Sequence, residues 1–231
     1  MKFPALLLAA LPLCGAEVFH YRAEWRLLHA GNVRLELDPA SAHMKLVTKG
    51  LAGTLYPVND DYSLQFRKGA CAESILFKMD EGKKRREAKT TFPSSPGKSS
   101  YREMDLVENK LARETELDVP GCVHDVIAAL VKLRADFPAP GAKFTLPMSD
   151  GRKFAPVEIK ALEREKVKTP AGEFAAIRYE AGLFNGVLYR RKAKMYFWLS
   201  DDARRLPVQV KIQMPFYIGN VTIQLEKEER P

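Results

Sequence analysis

The sequence predicts a mainly β protein, a curved antiparallel sheet or half-barrel with one main helix at about residues 122–134. Three observations predict this fold. Apolar and polar residues alternate along the first part of the chain, as strands with one buried face require. Apolar residues recur at helical spacing in one good segment, residues 122–134. From residue 143 onward, short alternating segments separated by turn sequences are typical of a β-meander.

The alternation is clearest at residues 19–27, where aromatic and aliphatic side chains share one face of the predicted strand. The residues of that face are Phe19, Tyr21, Ala23, Trp25 and Leu27. A turn at residues 29–32 then leads into a second strand. Strands are expected in this part of the chain at residues 33–37, 44–48, 63–66 and 74–79.

Five segments before the helix are less regular. Residues 55–62 contain a proline and an Asn-Asp-Asp run, which favours an irregular edge. Residues 80–82 form a hairpin turn, and residues 83–89 are expected to be exposed. The proline- and serine-rich residues 92–97 are expected to form a flexible loop, and no assignment follows for the polar residues 98–118.

The predicted helix follows Pro120-Gly121 and carries a continuous apolar run at residues 126–131, which the sheet should cover. Asp125 is interpreted as a helix-start residue, because a carboxylate there is favoured by the helix dipole. The Pro-rich residues 137–141 end the helix.

The rest of the chain reads as a meander. Asp150-Gly151 is a strong two-residue hairpin turn. Strands are expected at residues 143–148, 153–164, 165–168, 173–180, 184–188, 193–200, 206–214 and 220–225, with turns at residues 169–172 and 201–204.

The N-terminus has the pattern of a secretory signal peptide: Lys2, an apolar stretch at residues 3–13, and small residues up to Ala16. Cleavage there divides the chain into a signal peptide, residues 1–16, and a single β-rich domain, residues 17–231. Residues 11–14 also resemble a lipobox, in which Cys14 would carry a lipid, but Leu13 is not the small residue that a lipobox has before its cysteine. The alternative to a signal is a buried N-terminal strand, against which Pro4 and Pro12 count. The expected location is the periplasm or cell envelope.

Cleavage would leave two cysteines, Cys71 and Cys122. An even number of cysteines in an oxidising compartment favours a disulfide. The alternative is two buried free thiols, because unpaired cysteine is among the most buried residue types.

The chain is basic, with a formal net charge of +8 and two dense clusters of Lys and Arg. The clusters are Lys83, Lys84, Arg85 and Arg86, and Arg190, Arg191 and Lys192. Such clusters suit the phosphates of anionic lipid or an anionic membrane surface. They also suit solvated hairpins and protected sheet edges. Export argues against nucleic acid as a partner, and nothing in the sequence indicates an oligomeric state.

No catalytic, cofactor or metal motif is found. G-x-S-x-G, a Walker loop and G-x-G-x-x-G are absent. His124 and Asp125 are adjacent on a predicted helix start and so do not face each other. The acidic pairs Asp60-Asp61 and Asp201-Asp202 lie in turn-rich sequence, where Asp is common for local reasons. No catalytic residue, metal ligand or cofactor is therefore assigned.

Taken together, several segments resemble the DUF3108 family of exported bacterial proteins of unknown function, over nearly all of residues 17–231. The opening strands and residues 122–134 carry part of the resemblance. The remaining carriers are Asp150-Gly151-Arg152, residues 169–174, residues 197–202 and residues 205–208. The family name implies export and a fold, and no activity.

The expected cavity residues are Trp25, Phe197 and Trp198, with Ile212 and Ile223 in the core or cavity. Three hypotheses for the function follow. The first is non-catalytic binding of an apolar or amphipathic envelope molecule, which predicts an enclosed apolar cavity. The second is a structural or interaction module in envelope assembly, which predicts a solid core. The third is an enzyme acting on envelope glycans or lipids, which requires several of the six acidic and histidine candidates named above to converge.

Overall fold

The computed structural model describes residues 15–229, which form one antiparallel sheet of 14 strands. The predicted mainly antiparallel fold is confirmed. Strands 1–8 run in sequence order, and strand 1 pairs with strand 14, from which the order descends to strand 9. The strands are β1 (Glu17–Trp25), β2 (Leu28–Leu37), β3 (Ser41–Thr48), β4 (Asn59–Arg67), β5 (Cys71–Glu81), β6 (Lys84–Thr91), β7 (Gly97–Asp105), β8 (Lys110–Val119), β9 (Lys143–Ser149), β10 (Phe154–Thr169), β11 (Gly172–Ala181), β12 (Lys194–Ser200), β13 (Pro207–Gln213) and β14 (Asn220–Glu229).

Two helices accompany the sheet: α1 (Gly50–Leu55) lies between β3 and β4, and α2 (Val126–Asp136) lies between β8 and β9. The second helix packs against apolar residues from both halves of the sheet. Ile127 and Ala128 belong to a core that includes residues of β1 to β5 and of β10 to β14, and Ala129 and Leu133 belong to a core formed with β9 to β12. The sheet therefore curves around α2, and its concave face is the interior of the molecule.

The first and last strands of the sheet are β8 and β9, and each has a sequence suited to an edge. The edge strand β8 is mostly exposed and carries charged residues such as Arg113, Glu114 and Glu116. Charged side chains on an edge discourage pairing with other chains. The other edge strand contains Pro147, which lacks a backbone donor and is tolerated at an edge.

A short segment before α2 joins the two sides of the sheet. The Val123 carbonyl accepts a hydrogen bond from the Ala72 amide at the start of β5 (2.7 Å). One residue later, His124 pairs with β9, donating to Pro147 and accepting from Ser149. The disulfide between Cys71 and Cys122, whose Cα atoms lie 4.9 Å apart, fixes this segment to β5. The disulfide expected from the cysteine count is confirmed.

The start of α2 lies four residues later than the sequence pattern indicated. Asp125 is the N-cap, and its carboxylate accepts a hydrogen bond from the Ala128 amide at 2.7 Å. This confirms its interpretation as a helix-start residue. The helix ends at Phe137, which adopts a left-handed conformation with φ of 43°.

Several sequence-based assignments are corrected by the structure. The expected strand at residues 184–188 is a tight turn. Residues 83–89, expected to be exposed, belong mostly to β6, in which Ala88 is buried. Residues 98–118, left without assignment, contribute most of β7 and β8, and residues 59–62 of the supposed irregular edge begin the inner strand β4. The short helix α1 and the burial of Phe92, in the supposed flexible loop, were not anticipated. The expected signal sequence and Cys14 lie, but for residues 15 and 16, outside the described residues.

Candidate functional site

The concave side of the sheet contains two adjoining pockets, one on each side of the first turn of α2. The first, called here the apolar cavity, has a volume of about 190 Å³ and is lined without a single charged side chain. The second, called here the charged pocket, has a volume of about 390 Å³. The two share four lining residues, Met44, Val126, Ile127 and Met148.

The apolar cavity lies between α2, β1 to β3 and the C-terminal strands. On β12 to β14, alternate residues such as Phe197, Val210 and Ile223 face it, because successive strand residues point to opposite faces. The helix contributes Ala129, Leu130 and Leu133 from one face. Tyr21 supplies the one hydroxyl of the lining, and burial raises its pKa far above the ordinary range.

The charged pocket is formed mainly by the inward faces of β5 to β8, the N-terminus of α2 and the β9–β10 turn. Its acidic and basic lining residues are Glu81, Glu103, Asp125 and Asp150, and Lys84, Arg86, Arg113 and Arg152. Polar residues occupy inward positions here because this part of the concave face is not covered by the helix.

A buried network forms one wall of the charged pocket. The Glu103 carboxylate, only 4% exposed, accepts hydrogen bonds from Arg86 (2.5 Å) and from the Tyr101 hydroxyl (2.6 Å). Burial acts to raise the pKa of Glu103, but these hydrogen bonds outweigh it, and the pKa lies below its ordinary value. Burial raises the pKa of Tyr101 well above its ordinary value. Glu103 is thus held as a carboxylate, and its charge is neutralised by Arg86.

Asp125 forms the opposite wall, where the pocket meets α2. Besides capping the helix, its carboxylate accepts a hydrogen bond from the Tyr62 hydroxyl at 2.6 Å. Burial raises the pKa of Asp125, although the hydrogen bonds from Tyr62 and Ala128 oppose that effect. Burial likewise raises the pKa of Tyr62.

Two of the four basic side chains at the charged pocket are in ion pairs, and two are not. Arg152 pairs with Asp150 at 2.8 Å, and Arg86 pairs with Glu103. Lys84 and Arg113, both exposed, form no ion pair within residues 15–229. The acids outside these pairs are Glu81 and Asp125, so the formal charges of the lining balance. Asp125 is buried, whereas Lys84 and Arg113 are exposed.

The structure distributes the expected site residues differently from the sequence interpretation. Phe197, Ile212 and Ile223 line the apolar cavity. Trp198 does not, because it follows Phe197 in the same strand and must face the other side of the sheet. It is buried there under the far end of the β10–β11 hairpin, where its indole donates to Glu165 at 2.6 Å.

Trp25 also lies away from the cavity. It is the last residue of β1, 38% exposed, and its indole donates to the Ile218 carbonyl at 2.9 Å. As the last residue of its strand, Trp25 is only partly covered, and part of its side chain reaches solvent.

The expected basic rim is divided by the same alternation. Lys84 and Arg86 face the charged pocket, whereas Arg85 points outward to Asp80, and Lys83 lies in the β5–β6 turn. The second cluster, Arg190, Arg191 and Lys192, lies exposed in the β11–β12 connection, directly after Tyr189 of the pocket lining.

An enzyme site would have required several of six residues to converge in one cleft, and the structure scatters them. Asp125 lines the charged pocket, whereas Asp61 pairs with His43 and Lys45 on the outer face. His124 is buried against the Gly69 and Pro147 carbonyls. Asp60 accepts from the Asp80 amide, and Asp201 and Asp202 bind Arg164 and Arg204 around the β12–β13 turn. No cleft in residues 15–229 brings the six together.

One cluster has the composition of a metal site: Cys71, Cys122 and His124 place their ligand atoms within 4.8 Å of one another. The two sulfurs are joined in the disulfide and therefore are not thiolates, which are the form of cysteine that binds metals. We therefore interpret this cluster as part of the folded structure and not as a metal site.

A sequence signal for the charged pocket was present but weak. Inward charged residues on β6 and β7, such as Arg86 and Glu103, alternate with outward charged residues, so the period of two is hidden. Pairing of the strands aligns Arg86 with Asp105 and Glu87 with Met104, and only this register shows which residues face inward.

Within residues 15–229, neither helix has the length and apolar character needed to cross a membrane. A search of curated proteins finds no significant match. Among solved structures, the chain is similar to a "Beta-barrel-like Protein of Domain of Unknown Function DUF1849 from Brucella abortus", with a TM-score of 0.59 and 8% identity over 94% of this chain and 98% of that one. This likeness concerns the fold.

A DUF1089 family protein from Pseudomonas aeruginosa aligns over 85% of this chain and 90% of its own, with 11% identity and a TM-score of 0.36, on which no argument rests. The scan against protein families matches residues 20–226 to the family described as "Protein of unknown function (DUF3108)". With nearly the whole described sheet inside that match, the chain belongs to the DUF3108 family.

Proposed function

We propose that this chain is an exported, non-catalytic binding protein for an anionic amphipathic molecule of the cell envelope. The apolar part of the ligand would occupy the apolar cavity and its anionic group the charged pocket. The observation that carries the proposal is the direct junction of these two pockets along Met44, Val126, Ile127 and Met148.

The volumes of the pockets support a ligand of this kind. An apolar cavity of about 150 Å³ can bind benzene, and the apolar cavity here measures about 190 Å³. The charged pocket, at about 390 Å³, falls in the range of small-molecule sites, about 300–1,000 Å³. Methionine side chains are flexible, so Met44 and Met148 can adjust the passage between the two.

The charges favour an anionic head group over a cationic one. Lys84 and Arg113 are exposed and form no ion pair within the described chain, so both can reach a bound group. Of the lining acids, Glu103 and Asp150 are paired and Asp125 is buried, which leaves Glu81 as the one acid that is partly exposed and outside an ion pair within residues 15–229. Arginine binds carboxylate and phosphate groups through paired hydrogen bonds. A carboxylate or a phosphate is therefore the expected polar group.

Export is supported by the pattern of residues 1–16 and by the Cys71–Cys122 disulfide, since disulfides persist in oxidising compartments. The proposal of a non-catalytic role is supported by the separation of Asp60, Asp61, Asp201 and Asp202 from the pockets. An interaction module with a solid core is less well supported, because a cavity is present.

The first test is native mass spectrometry of the protein purified without detergent from the cell envelope of its own organism. A co-purified mass carrying an acyl or other apolar chain and an acidic group supports the proposal and identifies the class of ligand. A bare protein that also fails to take up long-chain fatty acid or lysophosphatidic acid added in vitro contradicts it. The mass of the chain also reports cleavage after Ala16.

A cavity-filling variant tests the site of binding. Ala129 is 4% exposed and lines the apolar cavity from α2. The substitution Ala129→Leu adds three carbons to a cavity of about 190 Å³ and is expected to weaken uptake of the neutral dye N-phenylnaphthylamine about tenfold or more, by displacing apolar contact area. Dye fluorescence titration measures this.

The matched control is Ala135→Leu, which makes the same change on the exposed side of the same helix. It should leave dye affinity unchanged. Equal affinity in the two variants, with both folded by circular dichroism, would place ligand binding outside the apolar cavity.

A further inference from the structure

The large exposed apolar side chains of the described chain all lie at one end of the sheet. In this antiparallel order, the connections β1–β2, β3–β4, β5–β6, β7–β8, β11–β12 and β13–β14 all fall at the same end, called here the hairpin end. The exposed large apolar residues in or beside these connections are Trp25, Leu27, Leu28, Leu51, Leu55, Tyr56, Leu106, Val107, Leu111, Phe216 and Tyr217.

The exposure of these side chains is extreme at the tips. Phe216 is 98% exposed, Leu27 90% and Leu55 78%. Single exposed apolar residues are common on soluble proteins, but their concentration in one region marks an interaction surface. At the opposite end, the connections β2–β3, β4–β5, β6–β7, β10–β11 and β12–β13 carry no large exposed apolar residue within residues 15–229.

Backbone contacts join the neighbouring connections into one surface. The Arg26 amide in the β1–β2 turn donates to the Asn220 carbonyl (3.2 Å) beside the β13–β14 turn. On the other side, the Lys49 amide at the start of α1 donates to Ala30 of β2 at 2.8 Å. The next connection continues this line, because the Gly82 amide in the β5–β6 turn donates to the Pro57 carbonyl at 2.7 Å.

Basic residues are distributed among these apolar ones. The exposed Lys and Arg residues of the hairpin end are Arg26, Lys49, Lys83, Lys84, Arg85, Lys110, Arg190, Arg191, Lys192 and Lys194. Acidic groups are fewer there, and most are in ion pairs: Asp80 pairs with Arg85, and Glu108 pairs with Lys110. The other acids of this end are Glu24, Glu81 and Asp105. The hairpin end is thus both apolar and positively charged.

We propose that the hairpin end docks on the surface of an anionic phospholipid bilayer, with the tips at Leu27 and Phe216 inserted among the lipids. Anionic lipids attract Lys and Arg near the surface, and Trp and Tyr side chains such as Trp25 and Tyr217 favour the interface between lipid and water. A protein partner fits less well, because lysine is depleted at protein–protein interfaces. Lys84, which lines the charged pocket, lies at this same end.

The test measures binding of the full chain to vesicles of phosphatidylcholine alone and of phosphatidylcholine mixed with phosphatidylglycerol, some containing brominated acyl chains. Bromine quenches only tryptophans that enter the bilayer. The chain has two, exposed Trp25 at the hairpin end and buried Trp198. Residues 1–16 contain none, so quenching reports the hairpin end and not binding through the N-terminal segment. We expect binding to anionic vesicles, weakened by salt, with quenching that Trp25→Phe abolishes.

The variant Leu27→Glu/Phe216→Glu should bind anionic vesicles at least about tenfold more weakly than the unmodified chain, because two inserted apolar side chains are replaced by charges. Its matched control is Ala171→Glu/Ala203→Glu, which adds the same charge at exposed turns of the opposite end and should bind like the unmodified chain. Both pairs of positions are exposed, so folding should be unaffected, which circular dichroism checks.

Three results would overturn the proposal: no preference for anionic vesicles, binding without quenching of Trp25, or equal binding by the two double variants. Self-association or a crosslinked protein at Leu27 and Phe216 without lipid binding would also overturn it and would assign the surface to a protein. The proposal does not depend on ligand binding in the cavity, because the dye titration and the vesicle test use different residues.

Discussion

At the scale of single residues, the direction of a side chain on a strand decides its role. Phe197 and Trp198 are neighbours of equal apolar character, yet one lines the cavity and the other packs on the opposite face. On β6, Arg85 and Arg86 are neighbours of equal charge, yet one lies in solvent and the other neutralises a buried carboxylate. Composition therefore says little about a residue here until its position in the period of two is known.

Asp60 gives a prediction about pH at this scale. Its carboxyl is 6% exposed, burial raises its pKa to about 6, and the hydrogen bond from the Asp80 amide only partly opposes that effect. The folded protein therefore retains a proton that the unfolded chain releases. Stability from this group is present at low pH and is lost as the pH rises from about 4, the ordinary value for aspartate, to about 6.

The variant Asp60→Asn cannot ionise and keeps an oxygen that can accept from Asp80. Between pH 4 and pH 7 it should gain about 1–2 kcal/mol in free energy of unfolding relative to the unmodified chain, after a discount for partial solvent access. Urea unfolding at several pH values measures this difference. A difference that does not change with pH would show that Asp60 titrates normally.

At the scale of elements, the local sequence specifies that α2 is a helix, whereas contacts with distant residues determine its position. Its two ends are held by different strands. Asp125 at the N-terminus is bonded to Tyr62 of β4. Arg134 at the C-terminus pairs with Glu17 of β1 at 2.8 Å and donates to the Arg205 carbonyl at 3.0 Å. The helix therefore spans the concave face between two fixed points.

The N-terminal anchor can be tested through Asp125. The substitution Asp125→Ala removes the helix cap, at about 0.5–2 kcal/mol, and leaves the buried Tyr62 hydroxyl without its acceptor, at about 1–3 kcal/mol. We expect a loss of about 2–4 kcal/mol in free energy of unfolding, measured with urea.

The conservative variant Asp125→Asn serves as the control. Asparagine is also a good N-cap and can accept from Tyr62, and burial already disfavours the charge of Asp125. Its loss should stay below about 1 kcal/mol. Similar losses for alanine and asparagine would mean that the charge, and not the two hydrogen bonds, is what matters.

At the scale of the whole molecule, the sheet is open and other contacts hold its two sides together. Edge strands β8 and β9 do not pair with each other. The Val123 and His124 backbone bridges β5 and β9, and the Cys71–Cys122 disulfide ties this bridge to the sheet. A fold of this kind leaves a concave space that side chains fill incompletely, and this is the origin of the two pockets.

Removal of the disulfide tests how much this closure contributes. The bond links residues 51 apart in sequence, so the chain-entropy model predicts a loss of about 3–4 kcal/mol in the variant Cys71→Ala/Cys122→Ala. Reduction of the unmodified chain with dithiothreitol should lower its stability to the same level, and the reductant should not affect the double variant. If reduction destabilised both equally, the effect would not come from this disulfide.

The sequence by itself determined the class of fold, the single long helix, the disulfide pair and the family, since these depend on local periodicity, residue counts and ordered motifs. Residues 19–27 show why: their alternation is visible without a partner strand. The strands β7 and β8 were missed because their two faces are both polar, which leaves no hydrophobic period to detect.

Only the tertiary structure decided where a site could lie. The charged pocket depends on the register that sets Glu103 and Arg86 on one face. The apolar cavity depends on α2 lying against strands that are distant from it in sequence, such as β1 with Tyr21. The exposure of Leu27 and Phe216 at a common end follows from the strand order, in which β1 and β14 are neighbours. These relations are long-range, and one-dimensional patterns carry no information about them until the strands are paired.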